Sequence, residues 1–336
     1  MVDNRAAILT GAKAAYTLQG DLGIREPLER SVGGRVDVFG VIAKLGATLM
    51  FQPLDKLLGA YVPAEEPGVL ITTKRSLPFQ RFTGAHELGH LYMGHQPSLD
   101  DEGILRRAPF STNSYLERQE READAFASLF LAPCWLLALI VQRQRWPAES
   151  LADPTTAYQL SLRLGTSYSA TCHVLERHKA ITRPQRDHLL SVEPKTIKRR
   201  LLDGYEPPDW QSDVWLLTGR DEGVLIEGGR NDLFVLRLRE NSSAGYLWNL
   251  DQLKVAGFAV VADDQEVDDP ELVGGLLTRK VTARSSHRVQ GEVTLQESRP
   301  WVPQKPLHEL HLQYDLRGPE EPGMWEPELQ RVLQAA

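Results

Sequence analysis

Arg81-Phe82-Thr83-Gly84-Ala85-His86-Glu87-Leu88-Gly89-His90-Leu91 and, further along, Glu120-Arg121-Glu122-Ala123-Asp124-Ala125-Phe126-Ala127 are the stretches on which the reading of this chain turns. Apolar positions recur at helical spacing over 78–93, which predicts a helix there. His86 and His90, four apart, project from one face of it. Two imidazoles so placed can reach one zinc ion, and Glu87 lies beside it, positioned to take a proton from water. A catalytic zinc site needs a third protein ligand and an open position. The next helical run supplies candidates, because Glu120 and Asp124 share a face. Glu120 is the expected third ligand. Asp124 is expected to hydrogen-bond the outer nitrogen of a ligating histidine and fix its tautomer. Glu117 and Glu122 lie off that stripe and are second choices. The competing reading makes these acids a solvated helix face with Arg118 and Arg121.

Working outward, residues 1–30 read as helical, and Asp37 can cap a short helix carrying Val38, Ile42 and Leu45 that Gly46 ends. Two β-like runs, 47–52 and 69–73, predict a small sheet, and the second is expected to offer an edge along which an extended substrate adds as a strand. Helical spacing covers 114–141, where Ser114 and Glu117 match a capping box and Pro133 marks a break, and continues to Leu202. The Pro-rich segment 204–211 predicts a domain boundary. Beyond it, alternating runs around Phe234, Phe258, Val281, Val293 and Leu310 predict a β-sandwich of roughly one hundred residues. The expected organisation is therefore 1–205, a linker 206–213, a sandwich 214–320 and a tail 321–336. The fold class is α+β, a mostly helical domain with a small sheet followed by an all-β, immunoglobulin-like sandwich.

Composition narrows the function classes. The 336 residues, 42% hydrophobic and 25% charged, are globular in type. A net charge of −7 argues against a chain that coats nucleic acid. The basic run 194–200 is read as a solvated helix face, so direct nucleic-acid binding is not expected. Cys134 and Cys172 are the two cysteines, too few for a disulfide framework or a four-cysteine zinc site. The amino end lacks the apolar centre of a signal peptide. The apolar run 129–141 is short of the ~20 residues a membrane crossing takes. A cytoplasmic protein with no membrane partner is expected.

The stretch 81–91 with His95, followed by Glu120, Ala123, Asp124, Phe126, Ala127 and 131–133, resembles the ImmA/IrrE metallopeptidases over about residues 30–140. That resemblance implies a gluzincin-type fold, with His86, His90 and Glu120 on zinc, or on manganese in its place, and Glu87 as catalytic acid/base. It also implies a substrate class, helix-turn-helix transcriptional repressors, and hence roles in stress response and transcription regulation. Asp124 stands where the family usually has Asn, a change toward the Glu-x-x-x-Asp pair of thermolysin-like enzymes. His95 and Tyr115 are the candidates for stabilising the oxyanion.

In the β-rich half, Asn241-Ser242-Ser243-Ala244-Gly245-Tyr246-Leu247-Trp248, Val273-Gly274-Gly275 and Ser298-Arg299-Pro300-Trp301-Val302-Pro303 stand out as loops. Gly245 and the Gly274-Gly275 pair permit tight turns, and the flanking prolines restrict Trp301, a good binding anchor. Tyr246 and Trp248, two apart on one strand face, read as core. These loops resemble those of chagasin-type inhibitors of papain-like cysteine peptidases over about 215–317, with Ser242-Ser243-Ala244 in place of Pro-Thr-Thr. Asn241, Ser242, Ser243, Gly245, Gly274, Gly275, Arg299 and Trp301 are thus the candidate protein-binding residues. The leading expectation is a zinc endopeptidase of narrow specificity whose sandwich recognises or regulates. The alternative is an inhibitor or adaptor acting through these loops.

Overall fold

The structure is a computed structural model and describes residues 2–335 apart from 31–33, 56, 97–98, 102–114, 268–276, 286, 288 and 303–304. Helices α1 (Val2–Asp21), α2 (Arg25–Arg30) and α3 (Val38–Lys44) open the chain. Asp37 caps α3, its Oδ1 accepting the Gly40 N–H at 2.9 Å, and Gly46 at φ 83° turns the chain into a sheet. That sheet holds β1 (Thr48–Gln52), β2 (Leu57–Val62) and β3 (Gly68–Thr72). After α4 (Leu77–Met93) comes β4 (Leu99–Asp101). Then follow α5 (Tyr115–Leu131), α6 (Cys134–Gln144), α7 (Pro154–Leu164), α8 (Tyr168–Arg177), α9 (Arg183–Ser191) and α10 (Pro194–Leu202).

Strand β2 was not foreseen. Leu57-Leu58-Gly59-Ala60-Tyr61-Val62 lacks alternation because both its faces are largely covered, and its central glycine weakens the strand signal. Its presence corrects the reading of β3 as a substrate-accepting edge. β3 lies between β1, to which it is parallel, and β2, to which it is antiparallel, so both of its edges are used. The expected capping box at Ser114 lies outside the described residues.

Pro133 breaks the helical run 114–141 into α5 and α6, as expected. A proline there has no N–H for the Leu129 carbonyl four residues back. Gln19 of α1 takes over, its Nε2 donating to Leu129 O and Phe130 O at 3.2 and 3.0 Å. The stretch Arg118–Gln144 is apolar enough by length and composition to cross a membrane, yet Pro133 divides it and Phe126, Phe130, Leu131 and Leu136 are buried in the core.

The second half is strand-rich, with β5 (Val214–Thr218), β6 (Leu225–Glu227), β7 (Leu233–Glu240), β8 (Leu247–Asn249), α11 (Asp251–Val255), β9 (Phe258–Val267), β10 (Leu277–Ser285), β11 (Gln290–Ser298) and β12 (His308–Asp315). Two four-stranded sheets, β5-β7-β10-β9 and β6-β12-β11-β8, form the sandwich. Phe258 joins them, edge-to-face with Phe234 at 5.5 Å and with Tyr314 at 5.1 Å. The whole is α+β, helical first and strand-rich second.

The halves are joined by more than a linker. Strand β5 is a sheet edge, and α7 covers it with side chains that imitate a neighbouring strand. Gln159 donates to Val214 O and accepts from Leu216 N, both at 2.8 Å. Arg163 donates to Leu216 O at 3.0 Å and to the buried Asp221 at 2.7 Å. Residues 206–213, read as a linker, are pinned by Lys198, whose Nζ donates to Trp210 O at 3.1 Å and Gln211 O at 3.3 Å. The stretch read as a tail returns to the first sheet. There β13 (Gly323–Met324) pairs antiparallel with β1, and α12 (Glu326–Ala335) follows. Gln80 of α4 holds the approach, accepting from Glu320 N at 2.8 Å and donating to Glu320 O at 3.2 Å.

Candidate metal centre

Helices α4 and α5 meet where Gly89 faces Ala123. A Cβ on Gly89 would lie 3.2 Å from the Ala123 Cα and 3.2 Å from the Phe126 ring, so glycine sets how near the helices come. That approach brings Glu120 over the face of α4 carrying His86 and His90, and all three are buried. His86 Nε2 lies 2.9 Å from His90 Nε2 and 3.1 Å from Glu120 Oε2, and His90 Nε2 is 3.7 Å from Glu120 Oε1.

The donor set fits a divalent cation. Tetrahedral bonds of ~2.0–2.1 Å put ligand atoms about 3.3–3.4 Å apart, within the spread seen. His86 Nδ1 is 3.0 Å from Asp124 Oδ1. An ionised carboxylate only accepts, so a neutral His86 donates from Nδ1 and turns the bare lone pair of Nε2 toward Glu120. Among the described residues, His86, His90 and Glu120 form the one group of three or more such side chains whose ligand atoms converge.

Glu87, 1% exposed, lies on the neighbouring face against β2. A Cβ on Gly59 would come within 2.9 Å of its Oε1 and 2.5 Å of the Thr83 methyl, so Gly59 leaves the room the carboxylate occupies.

The remaining candidates are placed as follows. His95 is buried behind His90, with its Nδ1 3.0 Å from His90 Nδ1 and its Nε2 3.1 Å from Glu122 Oε2. Burial, with His90 next to it, pulls the His95 pKa below the usual imidazole value. Its two nitrogens are thus engaged by His90 Nδ1, on the side of that ring away from Glu120, and by Glu122. Glu122 points to His95 and to Arg118 Nε, 2.8 Å from its other oxygen, and not to the cluster. The sequence reading missed this contact, although His95, five residues after His90 across the αL turn at Gly94, carried a signal for it. Tyr115 opens α5, and its side chain and that of Glu117 lie outside the described residues.

At the far end of the sandwich, the buried Glu297 holds the 241–245 loop, accepting from Asn241 N at 2.6 Å and Asn241 Nδ2 at 3.1 Å. Ser242 and Ser243 form a short turn that Gly245 closes at φ 80°, with the Trp301 ring against it. Arg299 donates to Ala244 O at 3.2 Å and stacks 4.6 Å over Tyr246. Trp301 is 69% exposed, whereas Trp248 is core, its Nε1 donating to Arg239 O at 2.8 Å. Gly274 and Gly275 lie outside the described residues.

Residues 42–176 match the model of the IrrE N-terminal-like domain, Peptidase_M78, a segment containing the whole of this cluster. Within the helical half, that segment is similar to this family of domains, and the similarity supports a metallopeptidase. Over the strand-rich part, the chain is similar to chagasin-like cysteine protease inhibitors. One is EhICP2 from Entamoeba histolytica, 26% identical over 32% of this chain and 100% of that one, with a TM-score of 0.28. The chain is also similar to the solution structure of amebosin, 17% identical over 31% of this chain and 97% of that one, with a TM-score of 0.23. No curated protein matches the chain.

Proposed function

We propose that this chain is a cytoplasmic metallo-endopeptidase of narrow specificity and of the gluzincin type, holding zinc, or manganese in its place, through His86, His90 and Glu120. The observation that carries the reading is the buried meeting of those three side chains, with Glu87 beside them, inside an IrrE N-terminal-like domain. A divalent cation there supplies a Lewis acid for the scissile carbonyl and makes water acidic enough to attack near neutral pH. Glu87 takes the proton of the attacking water and returns it to the leaving amine. Asp124 holds His86 in the tautomer that faces the cluster. The substrate we assign is a helix-turn-helix transcriptional repressor or a similar regulatory protein, recognised or gated with the help of the sandwich. Elemental analysis of wild type beside His86→Ala tests the centre: about one metal per chain, lost in the variant, is expected on a three-ligand site. No metal in either, even after zinc is supplied, would overturn it. Incubation with candidate repressors, read by mass spectrometry, tests the substrate class.

A second reading is favoured by the exposed Trp301 packed against Gly245: an inhibitor or adaptor that works through these loops. Titration of the full chain into papain decides its inhibitor form. Undiminished papain activity at micromolar concentrations would remove it.

A further inference from the structure

Beyond the ligands, the geometry points to a hydrogen-bonded relay, His90–His95–Glu122, in which His95 is a positioning residue that sets the tautomer of His90. This rests on the metal-centre reading above. Its basis is a chain of contacts that ends on a carboxylate, a group that only accepts protons. Glu122 Oε2 lies 3.1 Å from His95 Nε2, and the carboxylate is held by Arg118 through its other oxygen. An ionised carboxylate has no hydrogen to give, so a neutral His95 carries its proton on Nε2 and donates it to Glu122. Its Nδ1 is then a bare acceptor. His90 Nδ1, 3.0 Å away, must be the donor of that pair. With the His90 proton fixed on Nδ1, its Nε2 lone pair points at His86 Nε2 and Glu120.

The two ligating histidines thus reach the same state by different routes. His86 is held directly by Asp124, whose side chain is half exposed. His90 is held through an intervening imidazole, and His95 and Glu122 are both buried. Burial strengthens such bonds and removes competing water. Without the relay, His90 is free to take either tautomer and to turn about its side-chain bonds.

Equilibrium zinc affinity, measured on the full chain by competition with a chelator, tests the relay with zinc alone as the probe. His95→Ala should weaken zinc binding about 10- to 100-fold. The discriminating pair is His95→Asn and His95→Gln. The Asn Oδ1 takes the place of the imidazole Nδ1 and can still accept from His90, whereas Gln carries its amide at the Nε2 end and leaves His90 without an acceptor. Asn is therefore expected within about threefold of wild type, and Gln as weak as Ala. A packing role predicts the opposite order, since Gln is nearer to His in size, and that order would overturn the relay. So would equal affinity in wild type and all three variants. Should His95→Ala fail to fold, the Asn and Gln variants, checked by circular dichroism, decide alone. In zinc-loaded wild type, long-range imidazole 1H–15N spectra should show His95 protonated on Nε2 and His90 on Nδ1. His95 protonated on Nδ1 instead sinks the relay, while a His90 Nε2 that carries no proton leaves the metal centre standing. Absence of zinc binding by wild type would sink both.

Discussion

Glu87, Glu120 and Glu122 put one functional group into three surroundings, and their substitutions should separate accordingly. Glu87 borders Gly59 on the side of α4 next to the ligands, so Glu87→Gln should keep the metal and lower cleavage at least ~100-fold, the worth of a general base. Metal loss together with activity would reassign it as a ligand. Glu120 faces both His86 and His90. Glu120→Ala should therefore empty the site under dialysis that leaves wild type loaded. Unchanged stoichiometry would point to Glu117 or Glu122. Trp301 at the loop tip packs mainly on Gly245, so Trp301→Ala should weaken capture of a protein partner while metal content stays unchanged. Equal loss of both would mean that the two halves are coupled.

The elements around the site owe their spacing to small residues. Gly59 lets β2 lie against α4, and a methyl group there would overlap the Thr83 Cγ2 and crowd Glu87. Gly59→Ala is expected to cost about 1–3 kcal/mol, as overpacking does in a full core. Thr83→Ser, which removes the clashing methyl, should restore part of it in the double variant. Thermal unfolding reads both, and a double variant no better than the single would place the strain elsewhere. This strand also shows why part of the site was hidden. The helix face of His86, Glu87 and His90 follows from a spacing of four within one element, a local rule. The neighbour of Glu87 is Gly59, which sits on a strand without alternation. No local pattern says that those residues meet.

The two halves share a hydrogen-bonded seam, and its loss should be felt across the molecule. Gln159→Ala would leave Val214 O and Leu216 N without their partners, at about 1–3 kcal/mol for buried polar groups so abandoned. Urea unfolding that shifts by less than the error would show that water replaces the amide. Asp232 sits near the same seam, accepting from Asp213 N at 3.0 Å, Trp215 Nε1 at 3.2 Å and Gly229 N at 2.9 Å. Burial, with Asp213 close by, raises its pKa from the ordinary 3.8 to about 7. The folded chain then keeps a proton that the unfolded chain releases. The stabilising contribution is complete below about pH 4 and is lost as pH rises through about 7. Unfolding free energy should fall between these limits, and less steeply in Asp232→Asn. An equal fall in both would exclude Asp232 as the cause.

Periodicity and spacing alone led to the α+β class, the helices around His86 and Glu120, the break at Pro133 and the strands around Phe234 and Leu310. Each depends on forces that act within a turn of helix, a strand pair or a proline ring. The three-dimensional fold decided the rest. It set Gly89 against Ala123, and with that the reach of Glu120 to His86. It turned the chain at Gly94 so that His95 backs His90, and it aimed Glu122, off the expected stripe, at His95 and not at the cluster. It also brought residues 323–324 back to pair with β1, far from them along the chain. Such meetings depend on which distant surfaces bury each other best, a sum of many weak contacts that no short stretch of residues carries.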